Sequence, residues 1–159
     1  MSQLTHLDEA GRARMVDIFG KPVTDRTAMA AGRVRMAPNA LAAALAGDAK
    51  KGDVRAVAEI AGVMAGKRAA DLIPLCHAVP LTDLQVAVRP WEHGLEVYAF
   101  ARAFGQTGVE MEAMTAASVA CLTIYDMLKS VDKAMTIESV QLIEKTGGQS
   151  GDFRRADPP

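Results

Sequence analysis

Aromatic side chains are nearly missing from this chain, at 4% of its 159 residues. A core built without them must close through small and flexible side chains, here alanine and methionine, and that allows backbone elements to approach closely. Cysteine is as scarce. Cys76 and Cys121 share no Cys-x-x-Cys spacing, so neither a disulfide framework nor a structural zinc site is expected. No run reaches the ~18 consecutive apolar residues of a membrane-spanning helix. Ser2-Gln3-Leu4-Thr5-His6 lacks the charged-then-apolar order of a signal peptide, and cytoplasmic residence is expected. Net charge is close to nil, at −1, so no global field draws nucleic acid or a membrane surface. An anionic ligand would need a local cluster of cations. What remains is one globular domain over residues 1–159, long enough to bury roughly 70% of its unfolded surface.

Residues 1–32 read as irregular and polar, with Arg12, Arg14 and Arg26 exposed. Arg33-Val34-Arg35-Met36 reads as a short strand, and Pro38-Asn39 opens an alanine-rich helix that ends at Gly47. Asp53 is a good N-cap for a second helix, with Val54, Val57, Ile60, Ala61 and Met64 as its apolar stripe. Leu84–Val88 and Leu95–Tyr98 read as strands joined by Glu92-His93-Gly94, a hairpin. A long helix follows, then a strand over Ile137–Ile143, then a glycine-rich flexible tail from about 146 to 159. Strands and helices mix without regular alternation, and the hairpin indicates an antiparallel sheet. The expected fold class is α+β, with helices packed on one face of that sheet.

The long helix, read from about Val109 to Val131, is apolar on nearly every side, which suits a buried or interface helix. Into it are set Glu110, Glu112, Asp126 and Lys129. Ionised groups are seldom buried without a partner or a task, because desolvation costs several kcal/mol. Thr107-Gly108-Val109-Glu110 matches a capping box, so Glu110 is read as a cap. Glu112 in the first turn complements the macrodipole. Asp126 and Lys129, at i and i+3, could be a plain surface pair, but Ile124, Tyr125, Met127 and Leu128 surround them and favour a functional role.

The proline-framed stretch from Asp71 to Leu81 is apolar, and such a loop tends to line a pocket or an interface. His77 is its one good proton carrier, either a hydrogen-bonded core residue or a ligand contact. Nothing near Cys76 in sequence would lower its pKa, so it is read as packing. Lys50-Lys51-Gly52-Asp53 sets two cations before a helix N-terminus, where free N–H groups and the dipole favour an anion. Lys145-Thr146-Gly147-Gly148-Gln149-Ser150-Gly151 is a loose phosphate cradle or a mobile terminus.

Leu75-Cys76-His77, Thr107-Gly108-Val109-Glu110-Met111-Glu112-Ala113, Thr123-Ile124-Tyr125-Asp126-Met127 with Lys129, and Gly147-Gly148 with Ser150-Gly151 stand in one order. In this the chain resembles the molybdenum cofactor biosynthesis protein C family, the cyclic pyranopterin monophosphate synthases, from Met15 to Phe153. The resemblance implies a ferredoxin-like fold and an enzyme, a diphosphate-releasing cyclising lyase. It would rearrange a 3′,8-cyclised dihydro-GTP into cyclic pyranopterin monophosphate. Lys51, Asp126 and Lys129 match the catalytic set. Leu75, Cys76, His77, Met111 and Glu112 match substrate-contacting positions, with Arg26 and Lys145 as supporting anion contacts. It further implies a homohexamer built from dimers, with the upstream radical cyclase as a candidate partner. No dedicated metal site or cofactor is implied; Mg2+ can accompany the substrate phosphates. Gln106 and Gln149 stand where the family commonly has lysine, and Ala78 where it has proline.

A rival reading is a non-catalytic oligomeric ligand-binding or assembly module whose buried charges are interface ion pairs. Geometry also bears on assembly. Glu112 and Asp126 are 14 residues apart, roughly 21 Å along a helix. One nucleotide cannot easily engage both ends together with the loop at His77, so a site shared between subunits is expected.

Overall fold

The computed structural model describes residues 7–8, 10–47 and 52–157. Its strands are β1 (Thr24–Arg35), β2 (Leu81–Trp91), β3 (Gly94–Gly105), β4 (Thr136–Thr146) and β5 (Phe153–Arg154). Its helices are α1 (Pro38–Ala46), α2 (Val54–Gly66), the single-turn α3 (Ala69–Leu72) and α4 (Glu110–Leu128). The five strands form one sheet in the order β2-β3-β1-β4-β5, and every pairing is antiparallel. With α2 and α4 against one face, this is the β-α-β-β-α-β arrangement of ferredoxin-like folds, extended by β5. The α+β expectation and the Glu92-His93 hairpin both hold.

The first strand begins well before the expected Arg33. From Thr24 onward β1 pairs with β3 on one side, and from Thr27 with β4 on the other. Its inward positions Arg26, Ala28, Ala30 and Val34 are buried. Alanine has weak strand propensity, and an inward arginine hides the alternation, so this strand is imposed by its two neighbours rather than by its own residues. The irregular segment therefore ends near Val23, and Arg26 is a buried residue, not an exposed one. The tail is also more ordered in outline than expected: Phe153 and Arg154 pair with Lys145 and Glu144.

Small residues set the layer spacing. Ala28, Ala30, Ala99, Ala101 and Ala103 of the sheet are buried beneath Ala113, Ala116, Ala117 and Ala120 of α4. A Cβ on Gly32 would lie 2.6 Å from Cys121 Sγ. Where α2 crosses α4, a Cβ on Gly62 would lie 2.9 Å from the Ala116 carbonyl, and one on Gly66 3.0 Å from the Glu112 carbonyl. The stripe expected on α2 is accordingly misassigned. Val54 is buried, but Ala58, Gly62, Ala65 and Gly66 complete the inward face while Val57, Ile60 and Met64 are exposed. Close backbone approach rewards the smallest side chains, and so the bulkier ones face away. Asp53 caps α2 as expected, accepting from the backbone N–H groups of Arg55 and Ala56.

Candidate functional site

The N-terminal end of α4 is the meeting point of several of the sequence's chemical motifs. β1 and β4 run side by side in the sheet, which brings Arg26 near Lys145 and the turn after it. The loop after α3 delivers Leu75, Cys76 and His77 to the same helix end, with Thr107, Gly108, Glu110 and Met111. Two adjoining cavities result, of about 650 and 410 Å³. The larger is lined by Val16, Ile18, Ile73, Leu75, Cys76, His77 and Met111. The smaller is lined by Arg26, Gln106, Lys145, Gly147, Gln149 and Ser150. Lys21, Thr107, Gly108 and Glu110 face both.

The smaller cavity is organised around Arg26. Its Nε and Nη2 donate to the carbonyls of Gly105 and Gln106, each at 3.3 Å. Gly147 and Gly148, both at positive φ, fold the chain against it: a Cβ on Gly148 would lie 1.8 Å from Nη1, and one on Gly147 2.2 Å from the Asp25 carbonyl. Only glycine tolerates both the conformation and the contact. Lys145 Nζ donates to Ser150 Oγ at 2.7 Å, and Asp152 accepts from Gly147 N at 3.0 Å. Three cations, Lys21, Arg26 and Lys145, thus surround a turn and the start of a 19-residue helix. Among the described residues no side chain makes the N-cap hydrogen bond of that helix, which leaves its positive dipole end open to an anion.

The absent cap corrects the reading of Glu110. Its carboxylate folds back over Gly108, where a Cβ would lie 1.9 Å from Oε2, and meets Lys145 Nζ at 3.3 Å. A side chain that appeared to be local scaffolding is part of the site. Lys21 is the other residue that the sequence did not single out. A lysine held before a proline, in Gly20-Lys21-Pro22, is a weak signal without the fold that brings it there.

Glu112 is 3% exposed, and its Oε2 has no partner among the described residues. Burial pushes its pKa up, and the nearby Glu110 charge adds to this. Cys76 Sγ donates to Glu112 Oε1 at 3.9 Å, a long sulfur contact. Burial and the Glu112 and Glu110 carboxylates hold the Cys76 thiol protonated, in keeping with its reading as a packing residue rather than a nucleophile. His77 is half-buried in the cavity wall and not in the core. The loop around it is less buried than its composition suggests, since Asp71–Pro74 are exposed.

Asp126 and Lys129 are not brought to these cavities. They sit at the other end of the same unbroken helix, exposed, with Lys129 Nζ 2.7 Å from Asp126 Oδ1. That hydrogen bond and the carboxylate charge raise the Lys129 pKa. Lys51 lies outside the described residues. No group of three or more His, Cys, Asp or Glu among the described residues could hold a metal ion. No helix among them is long and apolar enough to cross a membrane.

Comparison with known proteins adds to this geometry. The MoaC family model matches residues 15–148, which takes in the lining of the larger cavity, that of the smaller one except Gln149 and Ser150, and all of α4. A cyclic pyranopterin monophosphate synthase of Thermomicrobium roseum is 57% identical over 159 residues, covering 99% of this chain and 96% of the relative. Proteins of the same name from Brucella ovis and Brucella melitensis are 56% identical over 158 residues, covering 98% and 96%.

Proposed function

The chain belongs to the MoaC family, and from that premise we propose that it is a cyclic pyranopterin monophosphate synthase. It rearranges 3′,8-cyclo-7,8-dihydro-GTP to cyclic pyranopterin monophosphate and releases diphosphate, a lyase step of molybdenum cofactor biosynthesis. The observation that carries this reading is the pair of adjoining cavities at the start of α4, one ringed by cations and one walled by apolar side chains. A triphosphate joined to a purine-derived ring has those two halves.

The triphosphate occupies the smaller cavity, against Arg26, Lys145 and Lys21 and the open helix end. Phosphate oxygens displace Glu110 from Lys145, and the same cations stabilise the departing diphosphate. The ring system lies against Leu75, Cys76, His77 and Met111, with Glu112 beneath. Its raised pKa suits Glu112 to hold a proton and donate a hydrogen bond there. Opening and reclosing the ring requires proton transfer. Lys129, kept charged by Asp126, is the acid, and Lys51 is assigned as the base. A normal or raised pKa for Lys51 would overturn that division. Any Mg2+ arrives on the phosphates.

Asp126 and Lys129 reach substrate from a second subunit, because within one chain α4 separates them from the cavities by roughly 21 Å. Two observations support assembly: the exposed apolar face of α2, with Ile60 62% and Met64 55% exposed, and Leu122 of α4 at 57%. We extend this to a homohexamer built from dimers in the cytoplasm, receiving substrate from the radical cyclase upstream. The decisive experiment is incubation with the cyclised dihydro-GTP and detection of diphosphate. A folded protein that releases none would refute the proposed activity.

A further inference from the structure

The segment before β1 has little to hold it in place. Val16, Ile18 and Lys21 are half-buried, and Phe19 at its tip is 91% exposed, so apolar burial does not anchor the turn. Its shape is local. Asp17 Oδ1 accepts from Phe19 N at 2.9 Å, and the Ile18 carbonyl accepts from Lys21 N at 3.0 Å. These bonds shape the turn but do not locate it relative to the sheet. Among the described residues, the side-chain hydrogen bonds that tie it to the sheet side both come from Gln106, next after β3. Gln106 Nε2 donates to the Lys21 carbonyl at 2.8 Å and to the Phe19 carbonyl at 3.3 Å. Its own carbonyl accepts from Arg26.

We propose that Gln106 is a positioning residue that clasps the Phe19–Lys21 turn and so holds Lys21 where the two cavities meet. One residue then serves two cations: its backbone orients the Arg26 guanidinium, and its side chain fixes the backbone that carries Lys21. The chemistry suits a neutral amide. Both carbonyls need an N–H donor, and an uncharged one does so without repelling the ammonium of Lys21 or competing for the phosphates. Gln106 is therefore not simply a lost cation at a position where the family commonly carries lysine. It substitutes placement of an existing lysine for a charge of its own. Lys21 faces both cavities, so losing its placement weakens binding of a ligand that spans them more than it slows the reaction.

The kinetic part of the test rests on the synthase reading; the exchange part does not. Gln106→Leu removes the donors at similar size and without adding charge. In the ligand-free protein it should raise amide hydrogen exchange across residues 16–22, and Gln106→Lys, which restores an N–H donor, should return the protection. With the cyclised dihydro-GTP, Gln106→Leu should raise KM about tenfold, with a smaller change in kcat. Made on a Lys21→Ala background, it should raise KM little further, because the residue it positions is gone. Unchanged exchange in residues 16–22 would overturn the proposal. So would an equal KM effect with and without Lys21, or a fall in melting temperature with kcat and KM unchanged. Absence of turnover in the unaltered protein would instead refute the synthase reading, and the exchange result would still decide whether Gln106 clasps the turn.

Discussion

Glu112 is a carboxylate buried at 3% exposure. Burial raises its folded pKa above the ordinary 4.5, so the folded state binds a proton that the unfolded state releases. The sign follows from linkage: stability is fully present below the unfolded pKa and falls as pH rises toward the raised folded value. Glu112→Gln should lack that decline and be at least as stable as the unaltered protein at neutral pH. Chemical denaturation at a series of pH values checks this, and an unchanged slope would place the titration elsewhere. The two cysteines give a second test. Cys121 is buried with its pKa pushed up to about 12, so it should resist alkylation until the chain unfolds. Cys76 is half-buried with a raised pKa, so it should react at neutral pH, but more slowly than a free thiol, and faster as pH rises. Mass spectrometry after timed labelling separates the two. Lys129→Ala should fold normally and lose activity by ~10²-fold or more if it moves a proton; near-native turnover would remove it from the catalytic set.

At the scale of elements, the contact between α2 and α4 positions the site, because α4 carries Glu110, Met111 and Glu112 at one end and Asp126 at the other. That contact closes on glycine. Gly62→Ala would set a methyl 2.9 Å from the Ala116 carbonyl and 3.1 Å from Val86, and backbone cannot yield as a flexible side chain can. Destabilisation of about 2 kcal/mol is expected, read as a lower denaturation midpoint. Relief of about 1 kcal/mol from better helix propensity offsets part of it, so an unchanged midpoint would mean the helices sit further apart. Such packing was only half legible. Helix boundaries followed from Pro38, Asp53 and the apolar run of α4, since these act locally. Which face of α2 turned inward did not, because a stripe of Val57, Ile60 and Met64 looks more hydrophobic than Ala58, Gly62 and Ala65. The inward face was chosen by how near the helix axes could come, a property of the pair.

For the whole molecule, the length of α4 separates the cations gathered near its start from the Asp126–Lys129 pair at its far end. A single chain offers Arg26, Lys145 and Lys21 at one end of α4, and Asp126 with Lys129 at the other. The shared-site proposal is tested by mixing two inactive variants, Lys145→Ala and Lys129→Ala, under conditions of proven subunit exchange. Recovery of diphosphate release places the residues in different chains; no recovery places both in one, and a fully active monomer would end the idea.

The chain's own order of residues determined the fold class, the cap at Asp53, the hairpin at Glu92-His93 and the family motifs, because each depends on neighbours within a few positions or on whole-chain composition. Leu75, Cys76, His77 and Met111, each read from a motif of a few adjacent positions, line the larger cavity. Tertiary structure alone decided that Arg26 is buried on a central strand, that Glu110 faces Lys145 instead of capping its helix, and that Lys21 joins the site through Gln106. Those outcomes bring together residues far apart in the chain, 35 positions for Glu110 and Lys145, 80 for Arg26 and Gln106 and 85 for Lys21 and Gln106. Hydrogen bonds and ion pairs of that reach form only once strand register has set which ends of the sheet coincide.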